Sequence, residues 1–340
     1  MAKKATILDV AKAADVSTAT VSRVLNNPQS VRKITRLRVQ KAFADTGYSA
    51  GRLTEAGSAA RQEYASPRGS RMILTLVPDL RNPFYNDVLD GIRSSAGYDG
   101  YDTVLYQVKK SKYTVEQLKK LVDDLNVCGV LLLGKVASAR DLKLLNEYVP
   151  VVQCAEFDDG CDLPYVSIDD YAAGKTAMKL LIQGGHRRIA LSNGPLSFKY
   201  AVERERAYRD ALREVGLPVD ERLIVHQLEI EFDLAMANMT RLITAENHPD
   251  AVFAVSDIMA IAAINAVRRV GLRVPEDVAV IGFDGTYISN LCDPPLTVIR
   301  QRGSQLGAYA CQMLLDLIQD IPVSNRHILV DVDLVVRGST

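Results

Sequence analysis

Near the start of this chain, small hydrogen-bonding side chains surround a single arginine: Ser17, Thr18, Ala19, Thr20, Ser22 and Arg23. Hydroxyls and a guanidinium on one short segment suit two tasks, contact with phosphate oxygens and hydrogen bonding to base edges. The flanking residues supply the elements that would present them. Ile7, Val10, Ala11 and Ala14 fall on one helical face, and a break follows at Asp15-Val16. Ser17 then opens a second helix, its hydroxyl placed to accept from the Thr20 amide. Val21, Val24 and Leu25 face inward, which leaves Thr18, Ala19, Ser22 and Arg23 outside. Two such helices form a helix-turn-helix, whose second helix lies in the major groove. Spacing alone serves equally well for two short helices that merely pack together.

Charge favours the first reading. Residues 1–70 hold twelve Lys/Arg against five Asp/Glu, net +7, while the whole chain balances at 41 of each, leaving −7 on the remainder. A basic head gains from counterion release on DNA, and an acidic body is repelled by it. A third helix is expected over Thr35–Thr46, with Leu37, Val39, Ala42 and Phe43 inward. Residues 49–70, rich in Ala, Gly, Ser and Arg with one leucine, read as a linker without a core of its own.

From Arg71 the rhythm changes. Strand-length apolar runs (72–78, 103–108, 129–133, 151–154, 188–192, 223–226, 251–255 and 278–283) alternate with amphipathic stretches of helical length. Runs buried on both faces, separated by helices, mean α/β architecture with parallel sheets. Eight such units exceed one sheet, so two lobes are expected, with ligands bound beyond the carboxyl ends of the strands. The 340 residues are 48% hydrophobic, ample for such cores. No signal peptide and no membrane-length apolar run is visible, and the five cysteines show no CxxC spacing, which together suggest a reduced, cytoplasmic protein. Four scattered histidines give no metal site, no cofactor motif is present, and neither a phosphate loop nor a Gly-x-Ser-x-Gly elbow supports an enzyme.

The segment Thr6–Asn26 resembles the headpiece of the lactose/galactose repressor family. The likeness continues through Val77-Pro78-Asp79, Asn82-Pro83-Phe84-Tyr85, Val166-Ser167-Ile168-Asp169, Gly185–Ala190, Ser256–Ala260, Val274–Asp284 and Pro294–Ile299, in family order over nearly the whole chain. Ala155-Glu156-Phe157, Cys292–Thr297 and the terminal Val336–Thr340 resemble most its cytidine-responding branch. The resemblance implies a three-helix headpiece (1–48), a hinge (49–70) and a two-lobed effector domain (71–340) similar to flavodoxin-like periplasmic binding proteins. Its lobes would comprise about 71–167 with 299–326, and 168–298 with 327–340, the chain crossing near Ile168, Val298 and 326–328. It further implies a homodimeric repressor on pseudo-palindromic, double-stranded operator DNA. A nucleoside, cytidine-like effector would sit between the lobes. A sugar or purine-base effector is the alternative, a second regulator on the same promoter is left open, and a periplasmic-type solute receptor would leave the headpiece unexplained.

Carried over by position, Thr18 and Ala19 select sequence and Arg23 reaches a guanine edge or phosphate. Ser17, Thr20, Ser22, Asn26 and Thr35 set register on phosphates, with Thr6 a further DNA contact, although Thr20 serves equally as a helix cap. The linker departs from the family: Tyr48 is followed by Ser49-Ala50-Gly51, the position of the minor-groove leucine is Gly57, and only Leu53 is available. Two glycines cost a hinge helix roughly 1 kcal/mol each, so variable half-site spacing is expected to be tolerated. For the effector, the resemblance implies Arg204 and Asp284 as grips on a vicinal diol, Phe84 and Tyr85 as an aromatic face with one of them in the core, and Asp79, Glu156, Asp169 and Ser256 as further contacts. Asp169 and Asp257 serve equally as helix N-caps, the cap being favoured for Asp257.

Overall fold

The computed structural model describes residues 7–18, 20, 21, 24, 31, 33–46, 69–108 and 113–340. They divide into two compact units, one within residues 1–64 and one within residues 65–340.

In the first unit, α1 (Ile7–Ala13) ends at Asp15, whose φ of 51° is in the left-handed region that aspartate tolerates better than most side chains. The Asp15 carbonyl accepts from Arg38 Nη2 at 2.7 Å. Residues 18, 20, 21 and 24 are helical, and α2 spans Lys33–Thr46. Val10, Ala11, Ala14, Val21, Val24, Val39 and Ala42 form a small buried core. These are among the inward positions that the 3.6-residue period selects; Leu37 is only half-buried, and the side chains of Ile7, Leu25 and Phe43 lie outside the described residues.

The second unit holds two six-stranded sheets among the described residues. The first contains β1 (Met72–Val77), β2 (Asp102–Gln107), β3 (Gly129–Leu132), β4 (Val151–Cys154) and β5 (Tyr165–Ser167). The helices α3 (Phe84–Tyr98), α4 (Val115–Asp124) and α5 (Ala139–Asn146) join them. The chain then crosses to α6 (Asp170–Gln183), β6 (Ile189–Asn193), α7 (Lys199–Glu214), β7 (Ile224–His226), α8 (Phe232–Ile243), β8 (Ala251–Ala254), α9 (Asp257–Arg269), β9 (Ala279–Asp284) and β10 (Thr297–Arg300). It returns through α10 (Gly303–Ile318) to β11 (His327–Leu329), which pairs in parallel with β5 of the first sheet. It ends on β12 (Asp333–Val335), antiparallel to β10 of the second.

The crossings therefore fall at 168–169, 301–302 and 330–332. The second and third differ from the expected 298 and 326–328, because β10 stays in register with β9 through Arg300 and β11 completes the edge of the first sheet. Strands β1, β3, β4, β6, β8 and β9 are buried on both faces apart from Met72, as their predominantly apolar runs require. Helices α3 and α10 pack so closely that a Cβ on Gly91 would collide with the Ser304 backbone, and one on Gly307 with the Val88 carbonyl.

Candidate functional site

In the first unit, Ser17 Oγ accepts from the Thr20 amide at 3.1 Å and lies 2.9 Å from Thr20 Oγ1. The local cap expected from the sequence is thus present, and the Thr20 hydroxyl takes part in it. Ser17 and Thr18 are exposed at this helix start, and Thr35 is half-buried in the first turn of α2. Thr6, Ala19, Ser22, Arg23, Asn26 and Leu53 lie outside the described residues.

A cavity of about 1110 Å³ opens between the two lobes of the second unit. The segments lining it follow the carboxyl ends of ten strands, with Asp170 following β5. Pro78–Tyr85 follow β1, Gln107 ends β2, Lys135 follows β3 and Glu156 follows β4. From the second lobe come Pro195–Arg204 after β6, Leu228–Ile230 after β7, Ser256 after β8, Asp284 at the end of β9 and Gln301 after β10. This is where parallel sheets leave backbone amides and loops free for ligands.

Aromatic rings and carboxyl groups dominate the walls. Phe84 and Tyr85 meet edge to face at 5.3 Å, and Phe198 and Tyr200 lie 5.6 Å apart on the opposite lobe. Arg204 is buried, with Nε and Nη2 donating to Asp170 Oδ1 at 3.0 and 2.8 Å and Nη1 donating to the Val255 carbonyl at 2.7 Å. Its guanidinium lies over the Phe283 ring at 3.4 Å. Asp284 is buried, accepts from Gln301 Nε2 at 2.8 Å, and has a φ of 98°. Burial, reinforced by the nearby Asp257 charge, pushes the Asp284 carboxyl well above the usual carboxylate range. Burial likewise lifts Glu156 to about 7, against the opposing pull of the Lys199 amide. Ala155, just before it, has a φ of 67°. Two non-glycine residues in left-handed conformations at one cleft mark locally strained backbone that the surrounding fold holds in place.

Comparison with known proteins gives this arrangement a lineage. Residues 6–50 match the family described as bacterial regulatory proteins, lacI family, and residues 178–340 match the periplasmic binding protein-like domain. The HTH-type transcriptional repressor CytR of Escherichia coli (strain K12) is 36% identical over 337 residues, covering 99% of this chain and 96% of the relative. The chain belongs to the lacI family of bacterial regulatory proteins. Among solved structures, a complex of the transcriptional regulator CelR with cellobiose matches with a TM-score of 0.72 at 31% identity, covering 99% of this chain and all of that one. The Lac repressor dimer bound to operator and the anti-inducer ONPF matches with a TM-score of 0.69 at 27% identity, covering 99% of both chains. The relatives are transcription regulators, so a ligand-responsive, DNA-binding repressor is the family-level description of this chain. No described helix is long and apolar enough to cross a membrane, and no metal-binding cluster occurs among the described residues.

Of the effector positions expected for this lacI-family chain, Asp79, Phe84, Tyr85, Glu156, Arg204, Ser256 and Asp284 all line the cleft. Phe84 is buried and Tyr85 half-buried, in keeping with a core role for one of the pair. Asp169 does not line it: its side chain is exposed to solvent and caps α6 by accepting from the Ala172 amide at 2.9 Å. The next residue, Asp170, faces the cleft instead, because the first helical turn rotates successive side chains by about 100°. The cap favoured for Asp257 belongs to Ser256, whose Oγ accepts from Met259 N at 3.2 Å. Asp257 accepts instead from the Thr286 amide and hydroxyl at 2.6 and 2.7 Å, bracing the loop after Asp284. Tyr200, Asp170 and Gln301 were not anticipated. Tyr200 opens a helix whose preceding strand, β6, was visible in the sequence, whereas Asp170 and Gln301 follow the short strands β5 and β10, which gave no such signal.

Proposed function

We propose that this chain is a homodimeric, cytoplasmic repressor of pseudo-palindromic operators whose DNA affinity is set by an uncharged, cytidine-like nucleoside in the interlobe cleft. The observation that carries the nucleoside is the composition of the cleft. Aromatic rings approach it from both lobes, which suits a flat base. On its floor Arg204, Asp284 and Gln301 bring together a guanidinium, a carboxyl group and an amide, groups that pair with the hydroxyls of a vicinal diol. Among the described lining residues every cation has an acidic partner: Arg81 with Asp79 at 3.2 Å, Lys135 with Asp158 at 3.2 Å, and Arg204 with Asp170 at 2.8 Å. Such a cleft offers a ligand phosphate no free counter-charge and favours a neutral ligand.

A sugar effector is the second reading, supported by the likeness to the cellobiose-bound CelR structure over the whole chain. Calorimetry of the full chain with cytidine, cytidine monophosphate, adenosine, ribose, cellobiose and purine bases decides between them. Cytidine binding with the monophosphate excluded supports the proposal. Binding of cellobiose or a free purine base, but of no nucleoside, replaces the nucleoside while leaving the repressor intact.

In the first unit, Thr18 and Ala19 select sequence, Arg23 reads guanine or phosphate, and Ser17, Thr20 and Thr35 hold register on the backbone. Substitution of Arg23 by alanine, measured by gel shift over a range of salt, tests that assignment.

A further inference from the structure

Helix α7 begins without a side-chain cap of its own, since Phe198 at the N-cap position makes no cap hydrogen bond. The cap comes from the other lobe. Glu156, two residues beyond β4, accepts from the Lys199 amide at Oε1 and from the Tyr200 amide at Oε2, the latter at 3.4 Å. The grip is mutual: Lys199 Nζ lies 4.6 Å from the Phe157 ring centroid of the first lobe, held there by a 2.7 Å bond to Asp170 Oδ2 of its own lobe. The neighbouring cleft helices are capped from within their own lobe, α6 by Asp169 and α9 by Ser256.

We propose that Glu156 is a positioning residue that latches the two lobes together by capping α7 across the cleft. The inference rests on the cleft being the effector site. Helix α7 also carries Tyr200 and Arg204 into the cavity, so a ligand that draws α7 toward the first lobe acts in the same direction as the cap. Opening the lobes strips the first turn of α7 of acceptors for its amides, and closing restores them. Binding and capping are thereby linked: each favours the closed state and so strengthens the other. Asp170 of α6, Lys199 and Tyr200 of α7 and Tyr85 of α3 face the Glu156 carboxyl. Because enclosure raises the affinity of this carboxyl for its proton, closure takes up a proton and weakens as pH rises toward 7.

Site-resolved hydrogen exchange on the ligand-free full chain tests the latch. Glu156→Ala is expected to speed exchange at the Lys199 and Tyr200 amides about five- to tenfold, the loss of one N-cap, while the Ala172 amide, capped within its own lobe, is unchanged. Glu156→Gln keeps one acceptor and is expected to abolish the pH dependence of exchange at Lys199 that remains after correction for intrinsic rates. Unchanged exchange at both amides in Glu156→Ala, or a pH dependence that survives in Glu156→Gln, overturns the proposal. A parallel titration with cytidine separates the two readings. If cytidine fails to bind the wild type, the nucleoside assignment falls, and the exchange result still decides the latch.

Discussion

Asp170→Asn removes the negative charge that faces two cations in the wall of the cleft. Asp170 is buried, and its carboxylate accepts from Arg204 Nε and Nη2 and from Lys199 Nζ, all within 3.0 Å. The Arg204 side chain is only 5% exposed, so water cannot take over as its partner. Breaking a buried pair by removing one member typically destabilises by about 3–5 kcal/mol, because the other charge stays buried without compensation. For a unit of this size the melting temperature should fall by on the order of 10 °C. The assay is urea denaturation of the full chain followed by intrinsic tyrosine fluorescence, with calorimetric melting alongside. The double variant Asp170→Asn/Arg204→Met removes the stranded charge and should recover stability relative to Asp170→Asn, by roughly 1–3 kcal/mol of coupling. If Asp170→Asn melts with the wild type, or if the double variant is the less stable of the two, Arg204 is not held by Asp170 and the account of this wall is wrong.

Three further outcomes are expected. Arg23→Ala should weaken operator binding and lower the slope of log affinity against log salt by about 1 if the guanidinium meets a phosphate, or relax discrimination by roughly 1–3 kcal/mol at one base pair if it meets guanine. Gly307→Ala should destabilise the second unit by roughly 1–3 kcal/mol in a denaturation experiment, since the new methyl group strikes the Val88 carbonyl and two backbones must separate. Glu156 binds its proton more tightly folded, at about 7, than at its ordinary 4.5. Its contribution to stability is therefore full below about pH 4.5 and is lost as pH rises to about 7, a change of roughly 3 kcal/mol at most. Stability curves of Glu156→Gln and the wild type should converge or cross only within that window, and parallel curves would refute the shift.

Much of the architecture was legible because burial leaves a period in the sequence. The strands buried on both faces appear as predominantly apolar runs, and α4 and α8 appear as one-sided stripes. Helix α10 was missed for the opposite reason: eleven of its sixteen residues are buried, so it has no polar face to mark the period. Strands β5, β11 and β12 are three residues long, too short for a pattern. In the cleft, residues fixed to strand ends, such as Asp284 and Glu156, were placed correctly. Of the two readings of Asp169 the helix cap holds and Asp170 turns to the cleft, whereas the cap favoured for Asp257 belongs to its neighbour Ser256. Residue type alone does not separate them, since Ser, Asp and Asn cap with similar strength. The trans cap by Glu156 had no local signal, because its partners are backbone amides 43 and 44 residues away.

The central claim is that a small neutral ligand in the interlobe cleft controls the hold of the headpiece on DNA. Fluorescence anisotropy of a labelled duplex from the protein's own promoter region, titrated with the full chain in the absence and presence of cytidine, tests it most directly. The account predicts tight, salt-sensitive binding whose affinity shifts with cytidine in the wild type and no longer shifts in Asp284→Asn. Tight binding that no nucleoside, sugar or base alters, or a cytidine response that survives in Asp284→Asn, would contradict it.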